Sequence, residues 1–241
     1  MKATSHLTLN QPCLGVVLTG GLSSRMGSDK ALLTRQRSNL QSGNFHKKGL
    51  HINHAPQENM LSYSKQQLKN AGVNEIIVSG KNHGVADQFE QLGPMGGIYT
   101  VLKKFQPQAM LILPVDLPLI DAESLQQLKR VGELSQKAVF FQNNMLPLYL
   151  PVNAFVEQFF EQTFMPFKQS FSVKSAALSN RTVDKSAIKG PSIKALLMQI
   201  PHKTLTPKNS QCLFNANTPE QWQQAKQKFN TTIAQNRKDH V

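Results

Sequence analysis

Short apolar runs alternate with amphipathic stretches along most of this chain. Leu14–Leu18 (LGVVL) is apolar, short and partly β-branched, and it runs into Gly20 and Gly21. That pattern predicts a strand buried on both faces, followed by a tight turn. Lys30–Leu33 predicts the opening of a helix after the turn. Met60, Leu61, Leu68 and Ala71 resume helical spacing, with Gly72 where a helix cap belongs. Glu75–Ser79 (EIIVS) and Ala109–Leu113 (AMLIL) predict two more buried strands. Between them, Gly93–Gly97 reads as a tight turn leading into a helix through Ile98, Val101 and Leu102. Asp121 predicts the cap of a helix over Ala122–Val131, because Glu123 and Ser124 follow in its first turn. Lys137–Phe141 and Leu146–Leu150 predict strands, and Ala154–Glu161 and Gly190–Ile200 predict helices. Leu213–Ala216 predicts a late strand, and Pro219–Phe229 a final helix capped by Thr218.

Strand and helix in alternation predict a three-layer α/β/α architecture, with a mostly parallel sheet covered on both faces. In such sheets ligands bind beyond the carboxyl ends of the strands. Three glycine- or aspartate-bearing turns fall at such ends: Thr19–Lys30, Gly93–Gly97 and Pro114–Pro118. A single domain is expected over residues 12–230. Residues 35–59 are rich in Arg, Ser, Asn, Gly and His without a clear period, which predicts an irregular insertion. Residues 1–11 and 231–241 are expected to be flexible tails.

Composition narrows the class. The 241 residues are 39% hydrophobic, enough for one sizeable core. No apolar run approaches the ~20 residues of a membrane span, and Met1–Gln11 lacks the pattern of a secretory signal. The two cysteines, Cys13 and Cys212, have no partner spacing, so neither a disulfide framework nor a Cys-rich zinc site is expected. Together these features predict a soluble cytoplasmic protein. The net charge of +13 favours anionic ligands. Between Lys168 and Lys208 eight cations face one acid, Asp184, giving +7. These cations are dispersed, with few interleaved aromatics, which argues for a solvated basic surface over a nucleic-acid platform.

The turn Leu18-Thr19-Gly20-Gly21-Leu22-Ser23-Ser24-Arg25-Met26-Gly27-Ser28-Asp29-Lys30 carries the most chemistry. Its glycines allow close backbone approach and can aim N–H groups at phosphate. Ser23 and Ser24 offer hydroxyl donors, and Arg25 and Lys30 offer fixed positive charge. The glycine spacing fits neither a Rossmann fingerprint nor a Walker A loop. On the residues alone, an anion-binding turn and an ordinary glycine turn with surface cations both stay open.

The string resembles the L-A-G-G-x-S-x-R-M-G-x-D-K signature of the molybdenum cofactor guanylyltransferase family, the MobA-like nucleotidyltransferases, with Thr19 where Ala is usual. The resemblance implies a Rossmann-like fold of the nucleotide-diphospho-sugar transferase type. It places a purine nucleotide against Leu18, Thr19, Gly20 and Gly21, Lys30 on the triphosphate and Arg25 near the phosphates. Leu92-Gly93-Pro94-Met95-Gly96-Gly97-Ile98 is similar to the family's G-P-L-A-G-I segment, with Gly93 and Gly97 at matching positions. The resemblance gives Asp87, or else Glu90, a contact to the nucleotide, and sets Ser79 near the base.

Pro114-Val115-Asp116-Leu117-Pro118 resembles P-C-D-x-P. A carboxylate at a strand end can hold Mg²⁺ while a triphosphate supplies other oxygens; read alone, Asp116 is equally a turn or capping aspartate. With the resemblance it becomes the expected metal ligand. Val115, one position along, is expected to point away from it. Leu146-Pro147-Leu148-Tyr149 looks like the family's strand after the acceptor-facing loop. Phe214-Asn215-Ala216-Asn217-Thr218-Pro219-Glu220 is similar to its closing F-x-N-x-N-T-P-E. There Asn215 and Asn217 are implied to border the active site, with the second asparagine expected in the turn.

The resemblance covers about residues 14–33, 60–150 and 190–225. It implies Mg²⁺-dependent transfer of GMP from GTP to the phosphate of molybdopterin, with release of pyrophosphate. Partners would be proteins of molybdenum cofactor assembly or molybdoenzyme maturation. Two alternatives stand beside it: a relative using another nucleotide or acceptor, and a degenerate paralog that binds nucleotide without catalysis.

Overall fold

Leu14–Leu18 forms strand β1, with all five residues buried. It is an inner strand of the sheet in the computed structural model, which describes residues 13–20, 29–35, 58–89, 92–176 and 190–238. Gly21, Arg25, Glu90 and the bulk of the expected insertion, 36–57, lie outside the described residues.

After β1 the chain makes a short 3-10 turn at Lys30–Leu32, in place of a full helix opening. Thr34–Arg35 (β2) pairs antiparallel with Glu58–Asn59 (β3), so the expected irregular segment has a hydrogen-bonded ribbon at its root. Helix α1 is Met60–Asn70, capped by Asn59. Then come β4 (Ile76–Ser79), α2 (Pro94–Phe105), β5 (Ala109–Pro114) and α3 (Ala122–Ser135). The hairpin of β6 (Ala138–Phe141) and β7 (Asn144–Pro151) leads to α4 (Ala154–Ala176). The short α5 (Ile193–Leu197), β8 (His202–Leu205) and α6 (Pro219–Lys238) complete the order.

The sheet runs β4-β1-β5-β7-β6-β8. β1 is parallel to β4 and β5, and β6 is parallel to β8. β7 is the reversed strand, antiparallel to β5 and β6. Strand alternation splits the core into two layers. Val17, Leu111, Leu113, Val139 and Tyr149 pack with Leu68, Leu125, Leu128 and Trp222, from α1, α3 and α6. Leu14, Val16, Leu18, Met110, Ile112 and Leu148 pack on the other face with Ile98, Val101, Phe160, Phe164 and Leu196, from α2, α4 and α5. Each fully buried large apolar side chain contributes roughly 1.5–3 kcal/mol, so these two layers hold the strand ends in fixed relation.

The structure departs from the sequence expectation at further places. Gly96 and Gly97 are not a turn before a helix; α2 begins at Pro94, with Gly93 as its cap at φ 61°. Proline favours the first helical position and glycine the positive φ before it. The helix expected over Gly190–Ile200 shrinks to α5, because Ser192 caps it by accepting from Ala195 N at 3.1 Å. Leu213–Ala216 joins no strand: a 3-10 turn covers Ser210–Leu213, and Ala216 N bonds the carbonyl of Asp116 at 3.0 Å. The late strand is β8, whose His202, Lys203 and Thr204 are exposed at the sheet edge and carry no apolar signal.

Candidate functional site

β1 and β5 lie side by side, so Leu18 and Pro114 end together. Because β7 runs backwards, the β6–β7 hairpin tip stands at this same edge. A cleft of about 900 Å³ opens here. One wall is Leu18, Thr19, Gly20, Lys30 and Asp116, with Asn215 beside them; the other is the hairpin tip and the start of α5, including Asn143, Met145, Ser192 and Lys194.

Each polar group of the first wall has a local cause. Asp29 caps the 3-10 turn by accepting from Ala31 N at 3.0 Å, which fixes the backbone of Lys30. His83 Nε2 meets the other oxygen of Asp29 at 2.6 Å, tying that turn to the loop after β4. Lys30 Nζ then donates to Asp116 Oδ2 at 3.3 Å and to Asn217 Oδ1. Asp116 sits just past β5, in a loop pinned by Val115 N to Leu18 O and by Ala216 N to Asp116 O, both 3.0 Å. Three segments of the chain therefore converge on one ammonium group.

Asp116 Oδ1 is buried and has no hydrogen-bond partner among the described residues. A buried carboxylate oxygen left unpaired costs free energy. Its position beside Lys30 and at the cleft suits a cation ligand. Among the described residues no three His, Cys, Asp or Glu side chains gather around a common point, so this carboxylate is a single protein donor whose remaining partners must come from elsewhere.

The residues singled out in the sequence divide into two groups. Leu18, Thr19, Gly20, Lys30, Gly93, Asp116 and Asn215 line the cleft, and Asn217 touches it through Lys30. Both asparagines reach the site because Leu213–Ala216 is not a sheet strand. Ser79, Asp87 and Gly97 form a separate layer behind the glycine turn. Thr19 N and Oγ1 both donate to Ser79 O, at 2.9 and 2.8 Å. Ser79 Oγ donates to Asp87 Oδ1 at 3.0 Å. A Cβ on Gly97 would come within 2.3 Å of Ser79 Oγ, so only glycine lets α2 approach this pair. A Cβ on Gly20 would stand 3.8 Å from Asp87 Oδ2, so the carboxylate lies close to Gly20. Burial raises the Asp87 carboxyl above its ordinary range, while the Ser79 hydroxyl pulls it back down. Val115 is buried in the α1/α3 layer rather than in the turn's polar face. His83 carried no sequence signal, since its partner is 54 residues away.

Residues 15–162 match the model of the MobA-like NTP transferase domain. A molybdenum cofactor guanylyltransferase from Xanthomonas euvesicatoria pv. vesicatoria is 32% identical over 223 residues, covering 90% of this chain and 95% of that protein. A probable molybdenum cofactor guanylyltransferase from Methanothermobacter thermautotrophicus is 33% identical over 116 residues, covering 47% of this chain and 54% of its own length. Among solved structures, a nucleotidyl transferase from Methanothermobacter superposes with a TM-score of 0.59 at 13% identity, covering 91% of this chain and 98% of the other. A 4-diphosphocytidyl-2C-methyl-D-erythritol synthase from Anaerococcus prevotii gives 0.51 at 11% identity, covering 92% and 97%. At those identities the likeness is one of fold: a three-layer α/β/α nucleotidyltransferase fold with a mostly parallel sheet. No helix among the described residues is long and apolar enough to cross a membrane.

Proposed function

Because the chain belongs to the MobA-like NTP transferase family, and is thereby a nucleotidyltransferase, we propose that it moves GMP from GTP to the terminal phosphate of molybdopterin. The observation that carries this reading is the meeting of Lys30 and Asp116 at 3.3 Å, at the cleft, with one Asp116 oxygen unpaired among the described residues. The name of the Xanthomonas relative supports guanine and the molybdenum cofactor; the cation and carboxylate at the cleft support phosphate chemistry.

An oxygen of the acceptor phosphate attacks the α-phosphorus of GTP. A new P–O bond forms as the bond from the α-phosphorus to the bridging oxygen breaks, and pyrophosphate leaves with that oxygen's electron pair. The acceptor is already anionic, so no general base is needed. Catalysis then rests on in-line placement and charge neutralisation. Lys30, held by Asp116 and Asn217, offsets charge on the β- and γ-phosphates. Thr19 and Gly20 line the nucleotide wall of the cleft, and the family signature gives Gly21 and Arg25 a part in handling the nucleotide. The free Asp116 oxygen fits Mg²⁺, which when bound there would add Lewis-acid neutralisation of the triphosphate. The opposite wall, with Asn143, Met145 and Lys194, is left for the acceptor.

The test is pyrophosphate release with molybdopterin and each of GTP, CTP, ATP and UTP in turn, with Mg²⁺. GTP should turn over at least tenfold faster than the others, and omission of molybdopterin should stop release. Equal rates with CTP, or release that ignores molybdopterin, would reassign the nucleotide or the acceptor.

A further inference from the structure

The loop that carries Asp116 is held from two sides. On the cleft side, β1 and Ala216 bond its backbone. On the far side, Arg35 Nε donates to Pro118 O at 3.1 Å, and the hydroxyl of Tyr63 donates to the carbonyl of Ile120. The Arg35 guanidinium lies 3.8 Å from the centre of the Tyr63 ring and 4.5 Å from that of Phe229. Tyr63 and Phe229 are themselves buried, on α1 and α6. Arg35 belongs to β2, the ribbon at the root of the 36–57 segment, and is not one of the residues that line the cleft.

We infer that Arg35 is a positioning residue for Asp116, setting the path of Val115–Ile120 and so the place of the carboxylate opposite Lys30. The inference rests on the nucleotidyltransferase reading for its kinetic consequence but not for its structural one. Pro118 has no N–H to anchor itself, so its carbonyl is the natural handle on this loop. A cation over two aromatic faces is worth more when partly desolvated. The planar guanidinium can stack and donate at once, which a lysine ammonium does poorly. Tyr63 completes the clamp two residues further on. Burial pushes its hydroxyl up to about 12, so it remains a donor throughout the working pH range.

Arg35→Met keeps an unbranched apolar stem against Tyr63 and Phe229 and removes the donor and charge. Two readouts are taken on the full chain. Hydrogen exchange of the peptide spanning residues 115–120 should quicken by about tenfold, while β1 and β5 stay as in the wild type. In pyrophosphate release kcat should fall roughly 10- to 100-fold, as expected for a displaced reacting group, with the KM for GTP within about twofold. Arg35→Lys should lie between the two in both readouts. Tyr63→Phe, which deletes one hydroxyl from an otherwise unchanged ring, should quicken exchange in the same peptide if Arg35→Met fails to fold. Unchanged exchange at 115–120, or a lowered melting temperature with wild-type kcat, overturns the inference and leaves Arg35 a packing residue. If the wild-type chain releases no pyrophosphate from any nucleotide, the activity reading falls, and exchange alone then decides whether Arg35 holds the loop.

Discussion

Asp116→Ala separates function from stability, and the structure sets both magnitudes. Among the described residues the carboxylate has one side-chain hydrogen bond, from Lys30 at 3.3 Å, with both side chains 19% exposed. A hydrogen bond between charged groups contributes about 1.5–3 kcal/mol, and at this length and exposure the lower end applies. The other oxygen is buried without a partner among the described residues, and an unsatisfied buried acceptor costs about 1–3 kcal/mol. Truncation removes both effects, and Lys30 keeps its bond to Asn217. The net change in stability should therefore lie within about 1 kcal/mol, or about 2–4 °C in melting temperature for a chain of this size. Turnover should behave otherwise. If this carboxylate is the protein's hold on the triphosphate-bound cation, its loss should lower kcat/KM by about three orders of magnitude, or roughly 4 kcal/mol of transition-state stabilisation. Steady-state pyrophosphate release with GTP and molybdopterin, beside a thermal melt of the same preparation, measures both. Turnover within a few-fold of wild type refutes the metal assignment. A melting drop well beyond about 4 °C per kcal/mol of the expected change refutes the claim that the second oxygen is uncompensated.

Lys30→Ala should weaken handling of the triphosphate, raising the KM for GTP or lowering kcat by about 10²-fold or more; unchanged values for both would remove Lys30 from the site. Asp87→Asn tests the layer behind the turn through pH. Because burial raises the carboxyl of Asp87, the stabilising protonated form is fully present only below the unfolded carboxylate range and is lost as pH rises through the raised value. At neutral pH the asparagine variant should therefore melt at or above the wild type, and the advantage should shrink towards acid. If Asp87 also contacts the nucleotide, its GTP KM should rise about tenfold. A variant that melts lower at neutral pH and binds GTP normally would contradict both statements.

What the sequence displays and what it conceals follow from the range of the interactions. β1 and β5 were legible because short apolar runs report burial on both faces, and α3 because the Asp121 carboxylate accepts from Ser124 N at 2.7 Å, three residues on. Asp116 and Lys30 were legible as chemistry from the family signature, but their meeting spans 86 residues, and the Lys30–Asn217 contact spans 187. No local period encodes such pairs. β8 was missed for the opposite reason: an edge strand of exposed polar residues obeys the rules that discourage edge pairing and so looks like a loop. Arg35 and His83 were hidden because each acts through the backbone or side chain of a distant loop. The folded chain satisfies nearly every buried side-chain polar atom among the described residues, with Ser64 Oγ and Asp116 Oδ1 as the exceptions. Ser64 is a hydroxyl in a helix, where bonding back to the preceding turn is within reach. Asp116 stands at an open cleft, with Lys30 on its other oxygen. Leaving it bare makes sense where the partner arrives with the substrate, since a local rule broken without structural gain is expected at a functional site.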